Sequence, residues 1–181
     1  MQRIRSMMVA CSAAMLSASP LAAQAQVGGW RGDFLYQMNT IEGKFNQLAN
    51  AMTWEQYAWR PGKGVRSMCE VLLHIAGDSY LLGEPLGPKT PANINMKTIE
   101  NCPDSKEKVA ATMKAGFAFI RDAAIATPDG DAEANVDFFG TKITKRALLL
   151  AIVEHAGEHL GQSIAYARMN GVVPPWSQPS K

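Results

Sequence analysis

Four stretches of this chain carry apolar residues spaced three and four apart, with Gly or Pro breaks between them. Only helices packed stripe against stripe satisfy that pattern, and no alternation of period two competes with it. From Trp30 to about Met52, Phe34, Leu35, Met38, Ile41, Phe45 and Leu48 share one face, and a short continuation over Trp54 to Trp59 stops at Arg60-Pro61-Gly62. Ser67-Met68-Cys69-Glu70 has the form of a capping box and opens a second helix bearing Met68, Val71, Leu72, Ile75 and Leu82. Asp104 or Ser105 caps a third, striped by Val109, Met113, Phe117, Ile120 and Ala124. Pro128 to Asp131 reads as a turn, and the stretch to Gly140 as irregular. Thr144 caps the last helix, which runs to Asn170, with Gly171 as its C′ residue and Pro174-Pro175 as a stop. The expected fold is an all-α four-helix bundle.

Gly83 to Pro103, about twenty residues without clear periodicity, is long for a link between neighbouring antiparallel helices. A connection of that length can run the length of the bundle, which would make helices two and three parallel. It would also return Cys102 to the neighbourhood of Cys69.

The N-terminus has the makeup of a cleaved export signal over residues 1–25. Arg3 and Arg5 form a basic start, Met7 to Leu21 an apolar stretch, and Ala23-Gln24-Ala25 the small residues a signal peptidase reads. The apolar run is too short and interrupted to span a bilayer, and Cys11 follows Arg5 too closely to be a lipoprotein acceptor. Cleavage leaves one domain, residues 26–181, and removes the formal charge of +2, since both lost ionised groups are arginines. Even the full-chain charge of +2 is too small to suggest a nucleic-acid binder whose affinity rests on phosphate contacts. An exported chain meets an oxidising compartment, where Cys69 and Cys102 either pair or remain two unrelated thiols.

The chain has three histidines. His155 and His159, spaced i and i+4 on the last helix, lie one turn apart on a stripe with Leu148, Ile152, Ser163 and Tyr166 beside the core-facing side. His74 lies mid-helix in the second helix, beside Val71, Ile75 and Asp78. Three imidazoles from two helices make a partly filled coordination sphere with room for water or substrate, the arrangement of catalytic rather than closed structural sites. Asp78, Glu154, Glu158 and Gln162 are candidate acceptors for the far ring nitrogens. His-x-x-Glu-His is also an inverted zinc-peptidase signature, but those enzymes need a further downstream ligand, and only 22 residues follow His159.

Ser67 to Ala76, then His155-Ala156-Gly157-Glu158-His159-Leu160-Gly161-Gln162 with Tyr166, Arg168, Asn170-Gly171 and Pro174-Pro175, resembles the DinB-like superfamily across roughly residues 30–176. The resemblance implies an up-down-down-up bundle with a divalent metal on His74, His155 and His159. It also implies a relation to thiol S-transferases that use bacillithiol or mycothiol, and to a mycothiol-dependent maleylpyruvate isomerase.

Two functional readings follow. One is an exported, periplasmic or secreted, metal-dependent hydrolase or transferase acting on a small molecule, with Glu158, Asp78 or Tyr166 handling protons. The other is a non-catalytic metal- or ligand-binding bundle. Three imidazoles suit Zn or Ni, with Fe and Cu as alternatives. Neither nucleic acid nor a membrane span after cleavage is expected, and a homodimer is left open. Arg168 is explained by the helix dipole, and Trp176 by packing over the bundle end.

Overall fold

The computed structural model describes residues 27–179. The export signal expected over residues 1–25 therefore lies outside the described residues.

Helix α1 spans Gly29–Ala51 and buries the stripe from Phe34 to Leu48. A single turn, α2, spans Trp54–Tyr57 and begins with a capping box between Thr53 and Gln56. Helix α3, Met68–Gly83, begins with the expected box, in which the Ser67 hydroxyl accepts from the Glu70 backbone N–H and the Glu70 carboxylate accepts from the Ser67 backbone N–H. Helix α4, Lys106–Ala126, is capped by Ser105. Helix α5, Lys145–Met169, starts at Thr144 and ends in a Schellman arrangement. There the Val172 N–H donates to Ala167 O, the Gly171 N–H donates to Arg168 O, and Gly171 has φ 74°.

The segment expected to be irregular before α5 instead contains a hairpin. Strands β1 (Asn135–Phe138) and β2 (Thr141–Thr144) pair antiparallel, with Val136 opposite Ile143 and Phe138 opposite Thr141. Its two-residue turn, Phe139-Gly140, has φ values of 52° and 84°. Turns of this kind favour Asn-Gly, and four-residue strands are too short to show an alternating pattern, so neither strand signal is present in the sequence.

The helix contacts fix relative directions pair by pair. The Arg31 guanidinium, near the start of α1, donates to Ile125 O and Thr127 O at the end of α4, while Lys106 at the start of α4 donates to Asn50 O at the end of α1. Those two helices are antiparallel. Along α3 and α4 the contacts advance in the same direction. A Cβ on Gly116 would lie 2.6 Å from Ala76 O, and one on Gly83 would lie 2.7 Å from the Phe119 ring.

The connection from α3 to α4 begins with a turn over Glu84–Leu86 and runs back along α3, where Ile99 packs on Gly77. It ends where a disulfide joins Cys69 to Cys102, with Cα atoms 5.9 Å apart. The pair closes a separation of 33 residues, which in the chain-entropy description stabilises the fold by roughly 3–4 kcal/mol.

Phe45, Leu48, Met68, Leu72, Met113, Phe117, Ile120 and Leu148 are fully buried between the helices. No helix among the described residues is long and apolar enough to cross a membrane.

The backbone approach at Gly116 leaves no room for even a methyl group. Gly116→Ala should destabilise the domain by about 2 kcal/mol or more, because α3 and α4 have to separate. Gly43→Ala, in the interior of α1 with nothing within 4 Å of its Cβ position, should instead stabilise by about 0.5–1 kcal/mol. Denaturant melts of the two variants would read both signs.

Candidate metal centre

The antiparallel apposition of α3 and α5 builds the site. Each helix presents two polar residues one turn apart on the face toward the other: His74 and Asp78 on α3, His155 and His159 on α5. The order is reversed between the helices, so His74 meets His159, with ring centroids 4.7 Å apart, while Asp78 meets His155. One donor atom from each of the four residues falls within 4.8 Å of all the others. All four side chains are half-buried between largely apolar helix faces.

Asp78 Oδ2 is the hub. It lies 2.6 Å from His155 Nε2 and 2.9 Å from His74 Nε2. Burial opposes its charge, but the hydrogen bonds from His155 and His74 outweigh that cost and hold the carboxyl well below the usual carboxylate range. Asp78 therefore stands ionised among the donor atoms of the cluster.

The far side of each ring is held by a different device. His74 Nδ1 lies 2.7 Å from Glu100 Oε1, and Glu100 in turn accepts two hydrogen bonds from the Arg66 guanidinium. Burial of Glu100 works against its charge, but Arg66 and His74 prevail and its pKa is lowered. His159 Nδ1 lies 2.8 Å from Gln162 Oε1, and the Gln162 amide N–H donates to the Tyr166 hydroxyl. Tyr166 is buried, edge-on to Trp59. With Nδ1 of His74 and His159 so engaged, their Nε2 atoms are turned to the centre, the orientation that outer partners give metal-ligating histidines.

Of the residues considered for proton transfer, only Asp78 lies within the cluster. Glu158 stands at the rim, its side chain 69% exposed and 3.9 Å from His155 Nδ1. Tyr166 acts at one remove, through Gln162. Gln162 was among the outer acceptors considered from sequence. Glu100 was not: it sits in an aperiodic connection 26 residues from His74, and only its place two residues before Cys102 hints at its position.

No ion is needed to recognise the donor chemistry, and the residues fit one. Three imidazole nitrogens and one ionised carboxylate converge, with two of the rings braced from behind, as borderline divalent ions such as zinc require.

These features define a helical-bundle protein with a His/Asp cluster between two antiparallel helices. The family model for the DinB family matches residues 32–180, and the chain belongs to that family. No curated protein matches it. Among solved structures, it is similar to a DinB-like protein from Bacillus cereus, with a TM-score of 0.68 at 20% identity over 78% of this chain and 93% of that one. It is also similar to a DinB-like protein from Bacillus subtilis, with a TM-score of 0.62 at 18% identity over 82% and 96%. A third is a DinB family member from Exiguobacterium sibiricum, with a TM-score of 0.62 at 17% identity over 86% and 98%. At these identities the likeness shows the shared fold.

Two outcomes are expected of the site. Glu100→Gln removes the charge behind His74 and should weaken divalent-ion binding by roughly 10–100-fold, read by competition with a chromophoric chelator. The second concerns pH. The hydrogen bond to Asp78 raises the His74 pKa, while burial lowers that of His159. An imidazole ligates only when unprotonated, so ion binding displaces the His74 proton, and affinity should fall as pH drops through the range where His74 titrates. Calorimetry in buffers of different ionisation enthalpy should detect the released proton. Affinity unchanged between about pH 8 and pH 6 would contradict the assignment.

Proposed function

We propose that this DinB-family protein is an exported metalloenzyme, a hydrolase or transferase that acts on a small molecule. It would hold zinc or nickel on His74, His155 and His159, with Asp78 beside them. The single observation carrying this reading is the convergence of four donor atoms within 4.8 Å, two of their rings braced by Glu100 and Gln162. A divalent ion so placed supplies Lewis acidity and lowers the pKa of a bound water or thiol toward neutrality.

The chain's own residues then divide the work. Glu100 and Gln162 aim the rings. Asp78 neutralises charge at the centre. Glu158, exposed at the rim beside His155, is the carboxylate placed to accept a proton from an incoming nucleophile. Tyr166 positions Gln162 through their hydrogen bond. The pairwise helix directions support an up-down-down-up order. The Cys69–Cys102 disulfide supports export, since such bonds persist in oxidising compartments.

One observation favours a second reading, a non-catalytic binding bundle. With Asp78 included, the protein offers four donors, which would complete a tetrahedral ion and close it to substrate.

Metal analysis of the purified mature protein, beside His155→Ala and His159→Ala, tests the site. One ion per chain in the wild type, lost in both variants, is expected. No ion even after reconstitution would end both readings. Ester, amide and thiol-acceptor panels then separate them. Metal-dependent turnover abolished in His74→Ala marks the enzyme, and its absence across the panel marks the binder.

A further inference from the structure

The hairpin that sequence reasoning missed borders the metal centre. A cleft of about 290 Å³ opens from Asp78 and His155 and is walled by Leu81, Leu82, Phe138 and Phe139. The same four apolar residues continue into a neighbouring space of about 490 Å³ on the far side of the hairpin tip. The tip thus presents two phenylalanines, packed edge to face with ring centroids 4.8 Å apart, to both spaces.

Phe139 occupies this place against two local preferences. It has φ 52° at the first position of the turn, where Asn or Gly is favoured and an aromatic side chain is strained. It is also 73% exposed, a poor position for a large apolar ring. Within the fold the ring meets the edge of Phe138; a ligand pressed against it would cover its exposed face, and strained backbone of this kind clusters at ligand sites.

The charges in the metal-side cleft have one sign. Asp78, Glu154 and Glu158 line it, and no Lys or Arg does. Asp78 lies against the imidazoles and would meet the charge of a bound ion. The other charged groups lining the cleft are Glu154 and Glu158, both exposed at its rim, with Glu158 beside His155.

We infer that the substrate is a small molecule with an aromatic or branched apolar body lying between Leu81 and Phe139, and that, beyond a head group held at the metal centre, it is neutral or cationic and not anionic. The head group's attachment rests on the metal-centre reading above; the cleft does not. Phe139 is a specificity residue, and Glu154 and Glu158 select by charge.

Hydroxamates test this on the zinc-loaded protein by titration calorimetry. Acetohydroxamate, a head group alone, reports the metal centre. Benzohydroxamate adds a ring and should bind on the order of tenfold tighter, the gain expected from burying a ring against aromatic and aliphatic side chains. A para-aminomethyl substituent should hold or improve that affinity, and a para-carboxylate should lose several-fold. The Glu154→Gln/Glu158→Gln double variant should erase the difference between the two tails.

Phe139→Asn gives opposite signs in two readouts. It should raise the thermal midpoint, because Asn suits the turn, and it should abolish the advantage of benzohydroxamate over acetohydroxamate. If acetohydroxamate fails to bind, the metal reading fails, and the cleft is then tested with phenethylamine against phenylacetate on the metal-free protein. Equal affinity for the two tails, or an undiminished ring advantage in Phe139→Asn, would overturn the inference.

Discussion

Helix α3 is gripped on two sides, and the centre depends on that grip. On one side Gly116 lets α4 approach to backbone contact, and the Cys69–Cys102 disulfide ties the incoming connection to the first turn of α3. On the other side His74 and Asp78 face α5. A polar cluster between helices has no hydrophobic gain of its own; burying its charges is costly unless each is met by an opposite charge or a hydrogen bond. The close α3–α4 packing supplies the rigidity, and the hydrogen bonds that Asp78 accepts from His74 and His155 meet its charge.

The same clamp delivers Glu100. The connection returns along α3 with Ile99 packed on Gly77, and the disulfide fixes its end two residues after Glu100. Glu100 thereby reaches both Arg66 and His74. The carboxylate behind His74 is thus positioned by covalent and packing constraints that lie outside the two helices bearing the clustered donor atoms.

Much of this was legible in the residues. The i, i+4 spacing of His155 and His159 places them on one face, and His74 stands mid-helix on the second helix; Asp78, expected as an acceptor for a far ring nitrogen, instead stands among the donor atoms. Capping residues Ser67, Ser105 and Thr144 and the C′ glycine Gly171 mark helix ends with local chemistry that tertiary structure does not override. Glu100 was not legible, because its partner is 26 residues away and its segment has no period. The hairpin was hidden by short strands and by a Phe-Gly turn in place of Asn-Gly. In both cases the missed residue sits on a connection, where position is set by long-range contacts and local propensity says little.

On the proposed reading, His74, His155 and His159, with Asp78, form one metal centre. Crystals of the purified protein, measured on either side of the absorption edge of the metal it carries, test this most directly. A single anomalous peak within bonding distance of His74 Nε2, His155 Nε2 and His159 Nε2 is the predicted result. A peak elsewhere, or none after soaking with zinc and nickel, would contradict it.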